Sequence, residues 1–130
     1  MPRYLSVEDI LQIHSMVIDE TSGSHGIRDR DAILSLESLP KQNVFGKELY
    51  PTIFKKAGVY ARGIIMNHPF VDGNKRTGMT SASVFLEDNG YRIIPEEGEI
   101  EAFALKIISS RLDISAIAEW FKKHSKRIRG

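Results

Sequence analysis

Val7, Ile10, Leu11, His14, Val17 and Ile18 recur at three- and four-residue steps, the spacing that lines one face of an α-helix. Ser6 stands just before this run and Asp9 three residues after it, the arrangement of a capping box. A first helix is therefore predicted over residues 7–20, followed by a polar, glycine-containing loop over residues 21–26. Asp29 can cap a second helix carrying Ala32, Ile33, Leu36 and Leu39. Pro40 should stop it, because a proline disfavours helical backbone in the residue before it. Residues 41–50 read as a connecting loop, and Pro51 suits the first turn of a third helix. Ile53, Phe54, Ala57, Tyr60, Ala61, Ile64 and Ile65 supply that helix's apolar face, and Pro69 should end it near Asn67 or His68.

A fourth helix is expected from about Asn74 to about Asp88, with Gly90 as its stop. Apart from Met79, residues 78–83 are small, and small side chains let a neighbouring helix approach closely. That places the fourth helix at the centre. Residues 91–95 read as a short extended piece. Two closing helices follow, over residues 99–110 and 113–123, the second capped by Asp113 and striped by Ile114, Ile117, Ala118 and Phe121. The expected architecture is all-α: one compact bundle of about six helices, in one domain over residues 1–130.

Composition changes this picture little. A chain of 130 residues buries roughly two-thirds of its unfolded surface, enough for a real core. Hydrophobic residues make up 42% and charged residues 27%, the balance of a globular chain rather than a disordered one. The absence of cysteine excludes disulfides and thiolate metal sites and suits a reducing compartment. No run of 18 apolar residues exists and the first ten residues lack a signal-peptide core, so a cytoplasmic protein without a membrane partner is expected. A net charge of +1 gives no argument for nucleic acid, which is not expected as a partner. Lys122, Lys123, Lys126, Arg127 and Arg129 cluster at the end of the chain and read as a solvated helix end and tail.

The chemistry concentrates in residues 68–77, His-Pro-Phe-Val-Asp-Gly-Asn-Lys-Arg-Thr. Physically this is a helix end, a tight loop and a helix start. The loop offers the imidazole of His68 and the carboxylate of Asp72. The helix that follows opens with free backbone N–H groups and the positive end of its dipole, to which Lys75 and Arg76 add cations. Such a start is a ready site for phosphate. Asp72 can hold a Mg²⁺ bridging phosphate oxygens, and an imidazole can take the proton of an attacking hydroxyl. Base, metal ligand and phosphate cradle are the parts that phosphoryl or nucleotidyl transfer requires. Taken singly, each residue also has a plain role as helix cap, turn residue or surface charge. Their grouping within ten residues favours the chemical one. Phe70 reads as an apolar anchor for the loop, and His14 as a core histidine with a hydrogen-bonded tip. Spacing alone does not place His25.

The ordered set His68, Phe70, Asp72, Gly73, Asn74, Lys75 and Arg76 resembles the signature of the Fic superfamily: His, any residue, Phe, any residue, Asp or Glu, Gly or Ala, Asn, Lys or Gly, Arg. Tyr4-Leu5 with His14, residues 26–29, residues 49–52, Lys56-Ala57 and residues 85–91 are similar to the Doc branch, so the resemblance spans essentially the whole chain. It implies the Fic/Doc fold and a toxin of a type II toxin–antitoxin system. Its implied activity is phosphorylation of a Ser or Thr hydroxyl on a translation factor of the elongation factor Tu type. ATP or another nucleoside triphosphate would be the donor, with Mg²⁺, and a cognate antitoxin the partner. By position, His68 would be the general base. Asp72 would bind Mg²⁺ or orient the nucleophile, and Gly73, Asn74, Lys75 and Arg76 would hold phosphates. Adenylylating Fic enzymes usually carry Gly where this chain has Lys75, and a second Arg where it has Met79. The Doc branch shares both departures, which favours phosphoryl over adenylyl transfer. Fic enzymes often contain an inhibitory Ser/Thr-x-x-x-Glu-Gly helix. Here Ile93 stands four residues before Glu97-Gly98, so inhibition is expected from a separate chain.

Three other readings remain at this point. One is protein adenylyl transfer by the same site. Another is a metal-dependent hydrolase or nuclease built on His68 and Asp72, against which Pro69 argues by breaking any shared helical face. The last is a non-enzymatic nucleic-acid or protein interaction module using the basic tail.

Overall fold

The capping box at the start of the chain forms. Ser6 Oγ accepts from the Asp9 N–H at 3.1 Å, and the Asp9 carboxylate accepts from the Ser6 N–H at 2.9 Å. From it α1 runs over Val7–Thr21, in a computed structural model that describes residues 1–128. The second helix is shorter than its apolar spacing implies. α2 spans Arg30–Ser35, capped by Asp29, whose carboxylate accepts from the Ala32 N–H at 3.1 Å. Beyond it, Leu36, Glu37 and Ser38 donate to carbonyls three residues back, and the Ser35 and Ser38 hydroxyls do likewise. Serine hydroxyls that bond back to the backbone compete with the helical ladder. The chain therefore tightens, and Pro40 lies within a 3₁₀ turn at Leu39–Lys41 rather than at a helix stop.

The loop expected over residues 41–50 holds a small antiparallel hairpin, β1 (Asn43–Val44) and β2 (Lys47–Glu48). Phe45 and Gly46 both take positive φ at its tip, as two-residue hairpin turns require. Lys56 is buried beneath this segment and donates to Glu48 Oε1 at 2.8 Å and to the carbonyls of Tyr50 and Pro40. Pro51 does not enter the third helix. Thr52 is the cap, its hydroxyl accepting from the Lys55 N–H at 3.0 Å, and α3 spans Ile53–Asn67. A capping hydroxyl satisfies an N–H that would otherwise be open, and proline has nothing equivalent to offer.

α4 (Asn74–Asp88) lies at the centre, with Thr77, Gly78, Ser81, Ala82, Phe85 and Leu86 buried. A Cβ at Gly78 would stand 2.7 Å from Ile65 Cγ1 and 3.1 Å from the Ala61 carbonyl, so α3 and α4 meet almost backbone to backbone there. α5 (Glu99–Ser109) and α6 (Ile114–Lys123) complete the six helices of the described residues. One apolar core joins Ile10 of α1, Tyr60 and Ile64 of α3, Phe70, Phe85 of α4 and Phe121 of α6. The protein is all-α in class, with only short strands.

The described basic side chains Lys122, Lys123, Lys126 and Arg127 are exposed as expected, but the backbone beyond α6 is not a free tail. Beyond α6, β4 (Ser125–Arg127) pairs antiparallel with β3 (Tyr91–Ile93), Arg92 opposite Lys126. The Ile94 N–H donates to the His124 carbonyl and the Ile128 N–H to the Gly90 carbonyl. Pairing satisfies the backbone groups that an isolated extended piece would leave open. Arg129 lies outside the described residues. Among the described residues no helix is long and apolar enough to cross a membrane.

Candidate active site

The loop over residues 69–73 joins the end of α3 to the start of α4, two helices packed side by side. His68 is the last residue of the α3 turn. Its backbone is left-handed, φ 47°, and its N–H still donates to the Ile64 carbonyl. A non-glycine residue held in this region typically costs about 1 to 3 kcal/mol. The cost turns the chain sharply where Pro69 forbids further helix. The ring is half-buried and has no hydrogen-bond partner among the described residues.

The segment after α1 holds the loop from one side. The Pro69 carbonyl accepts from the N–H groups of Arg28 and Asp29, at 2.7 and 3.0 Å, and the Val71 N–H donates to the Gly26 carbonyl at 3.0 Å. Phe70 is fully buried, the anchor its apolar character predicted. Asn74 clips the loop from inside: its Oδ1 accepts from the Phe70 N–H at 3.0 Å and its Nδ2 donates to the Phe70 carbonyl at 2.9 Å. With the side chain so used, the group Asn74 can offer an anion is its backbone N–H. His14, buried on α1, stacks on Phe70 with ring centroids 3.7 Å apart and donates from Nε2 to the Asp72 carbonyl at 2.9 Å. His25 lies 6.5 Å from the His14 ring and pairs with Asp19 at 3.1 Å.

Asp72 is fixed as a carboxylate acceptor. Its Oδ1 accepts from the Gly73 N–H at 3.0 Å and its Oδ2 from the Ser24 N–H at 3.2 Å. Gly23 makes room for this, because a Cβ there would come within 2.8 Å of Asp72 Oδ2. Gly73 is the residue before α4, with φ 77° and no side chain capping the helix behind it. The N–H groups of the first turn and the positive dipole end are left for a ligand. Lys75 and Arg76 are exposed and have no ion-pair partner among the described residues. All of these residues face one groove of about 650 Å³, lined by residues 72–76 together with Met79, Thr80 and Ser83 of α4 and Ile100, Glu101, Ala104 and Leu105 of α5. His68 does not line it. It stands at the other end of the loop in sequence, as the C-terminal cap of α3.

Asp72 with Gly73, Asn74, Lys75 and Arg76 thus forms one cradle. Ser24, Gly23 and the Arg28–Asp29 backbone are supports that the sequence did not expose. Their contribution comes from backbone N–H groups and empty volume, which leave no residue-type signature. Among the described residues no group of three or more His, Cys, Asp or Glu side chains could hold a metal ion. A divalent ion here would depend on Asp72 and on oxygens of its ligand, the manner in which Mg²⁺ commonly binds with phosphates.

The family model described as Fic/DOC matches residues 4–86, and the chain belongs to the Fic/Doc family. It is 33% identical over 93 residues to the protein named Toxin Doc of Mycolicibacterium smegmatis, covering 72% of this chain and 69% of that one. It is 23% identical over 121 residues to the protein named Protein kinase doc of Escherichia phage P1, covering 93% of this chain and 94% of that one.

Proposed function

We propose that this protein is a toxin that transfers the γ-phosphate of a nucleoside triphosphate to a Ser or Thr hydroxyl of a translation factor of the elongation factor Tu type. The observation that carries the reading is the open start of α4 at the groove mouth, with Gly73 uncapped and Lys75 and Arg76 unpaired. Relatives named as a toxin and as a protein kinase support it. The phosphates lie against the N–H groups of residues 74–76 and the two cations. Asp72 would hold a Mg²⁺ ion, which would supply positive charge between the carboxylate and the phosphates. His68 takes the proton of the target hydroxyl, whose oxygen attacks the γ-phosphorus. The bond to the β–γ bridging oxygen breaks and the nucleoside diphosphate leaves. Lys75 places a point charge where a glycine would leave room for phosphate against the backbone, and Met79 brings an apolar side chain to the groove wall. Both disfavour a pose that presents the α-phosphate.

The test is incubation with a candidate target and nucleotide labelled separately at the α- and γ-phosphates. A target that gains the mass of a phosphate and only the γ-label is expected, and an adenylyl increment would refute the assignment. General-base loss commonly costs about 10² to 10⁴ in rate. His68→Ala should therefore nearly silence the protein with its helical content intact, and Asp72→Asn should abolish Mg²⁺-dependent turnover without unfolding it. Control falls to a separate antitoxin chain that folds into the groove beside the cradle. The isolated chain should then be active as purified. Activity that appears only after one of its own segments is removed would contradict this.

A further inference from the structure

We propose that His14 is a positioning residue of this site, holding the Asp72–Gly73 peptide plane and through it the Asp72 carboxylate. His14 comes from α1, 58 residues before Asp72, and its Nε2 donates to the Asp72 carbonyl at 2.9 Å. The peptide group is planar and trans, so its C=O and N–H point in opposite directions. With the oxygen held on His14, the N–H of Gly73 is aimed away from α1, and there it meets Asp72 Oδ1 at 3.0 Å. One hydrogen bond from α1 thereby sets the peptide whose N–H holds Asp72 Oδ1, while the Ser24 N–H holds Oδ2.

The surroundings leave this arrangement little slack. The imidazole lies nearly parallel to the Phe70 ring, 7° between planes, so it cannot tilt without disturbing the loop's anchor. A Cβ at Gly73 would meet Ile18 Cδ1 at 3.0 Å, Val17 Cγ1 at 3.5 Å and His14 Cδ2 at 3.9 Å, so the same face of α1 seats Gly73 directly. The remaining bonds on the loop backbone come from residues 26–29 or from within the motif, through Asn74 and Asp72. They hold Pro69, Phe70, Val71 and Gly73. The Asp72 carbonyl is held by His14. Without that bond the 72–73 peptide can rotate, which would swing the Gly73 N–H away from the Asp72 carboxylate.

The kinetic part of the test rests on the transferase reading above, and a structural part does not. His14→Phe keeps a ring on Phe70 and removes the donor, whereas His14→Gln keeps a donor near the Nε2 position. In γ-phosphate transfer, His14→Phe should lose about 10²-fold in kcat, the usual cost of misplacing a reacting group by an ångström. Its KM for nucleotide should change little, and His14→Gln should recover at least about tenfold of the loss. By amide hydrogen exchange, the Gly73 N–H should exchange faster in His14→Phe and not in His14→Gln. Retention of kcat and of Gly73 protection in His14→Phe would overturn the assignment. So would equal losses in the two variants with unchanged exchange. If the wild-type protein transfers no phosphate, the functional reading fails while the exchange comparison still decides the role of His14. Should His14→Phe not fold, nitrogen NMR of the wild-type ring decides instead. Nε2 must carry a proton and couple to the Asp72 carbonyl carbon across the hydrogen bond, and an unprotonated Nε2 sinks the proposal.

Discussion

Gly73 shows what a single residue contributes to this site. It turns the chain at φ 77° immediately before α4 and sits with the space for a missing Cβ 3.0 Å from Ile18 Cδ1. Gly73→Ala therefore meets both a strained backbone and a close contact. A loss of about 1 to 3 kcal/mol is expected from the backbone alone, read as a lower midpoint in chemical denaturation, with slower nucleotide turnover. An unchanged midpoint would show that the loop relaxes freely. At this scale the motif was readable because its members are contiguous and carry distinctive chemistry. His68, Asp72, Lys75 and Arg76 could be picked out by residue type. Ser24 could not, because it reaches Asp72 through a backbone N–H from 48 residues away. For Asn74 the sequence named the residue, while the structure shows its side chain spent on Phe70.

Among the elements, the contact of α3 with α4 sets the position of the cradle. Alanine normally stabilises a helix interior over glycine by about 1 kcal/mol. At Gly78 the added Cβ would fall 2.7 Å from Ile65 Cγ1 and 3.1 Å from the Ala61 carbonyl, and a carbonyl cannot move aside as a side-chain end can. Gly78→Ala should therefore lower the melting temperature, and a rise would show that the two helices are not in close contact there. The run of small residues announced a close neighbour, but not that the neighbour is α3. The sequence pointed to all six helices of the described residues, four of them by apolar periodicity, and misjudged α2. Leu36 is buried as its spacing implies, yet it lies beyond the helix, which serine back-bonding ends at Ser35. Lys56 occupies a position on the buried face of α3, and its charge hid it from an apolar pattern.

Across the whole molecule, the far wall of the groove depends on how α5 is tied to the end of the chain. Glu99 opens α5, and its Oε1 accepts from the Glu96 N–H at 2.6 Å while Oε2 accepts from His124 Nε2 at 3.1 Å. His124 also donates from Nδ1 to the Trp120 carbonyl at 2.7 Å and stacks on the Trp120 ring. The Glu96 N–H first, and His124 second, hold the Glu99 carboxyl below the usual range. A carboxylate whose folded pKa is depressed adds stability above its unfolded pKa and loses it as pH falls through the folded value. Glu99→Gln should thus melt below wild type at neutral pH, and the gap should close below about pH 4. Its side chain is 36% exposed, so high salt should shrink the gap as well. A gap that persists at pH 3 would mean that packing, not charge, ties α5 down.

The sequence by itself determined the helices, most of their caps and the chemical identity of the cradle, because helical period, capping residues and the motif are local properties of neighbouring residues. The tertiary structure alone decided that His14 holds the Asp72 carbonyl, that the loop after α1 braces residues 69–73, and that the basic end of the chain closes onto β3. Each is a contact between distant segments made through backbone groups or vacant volume. Amino-acid type does not encode such contacts until the chain has folded.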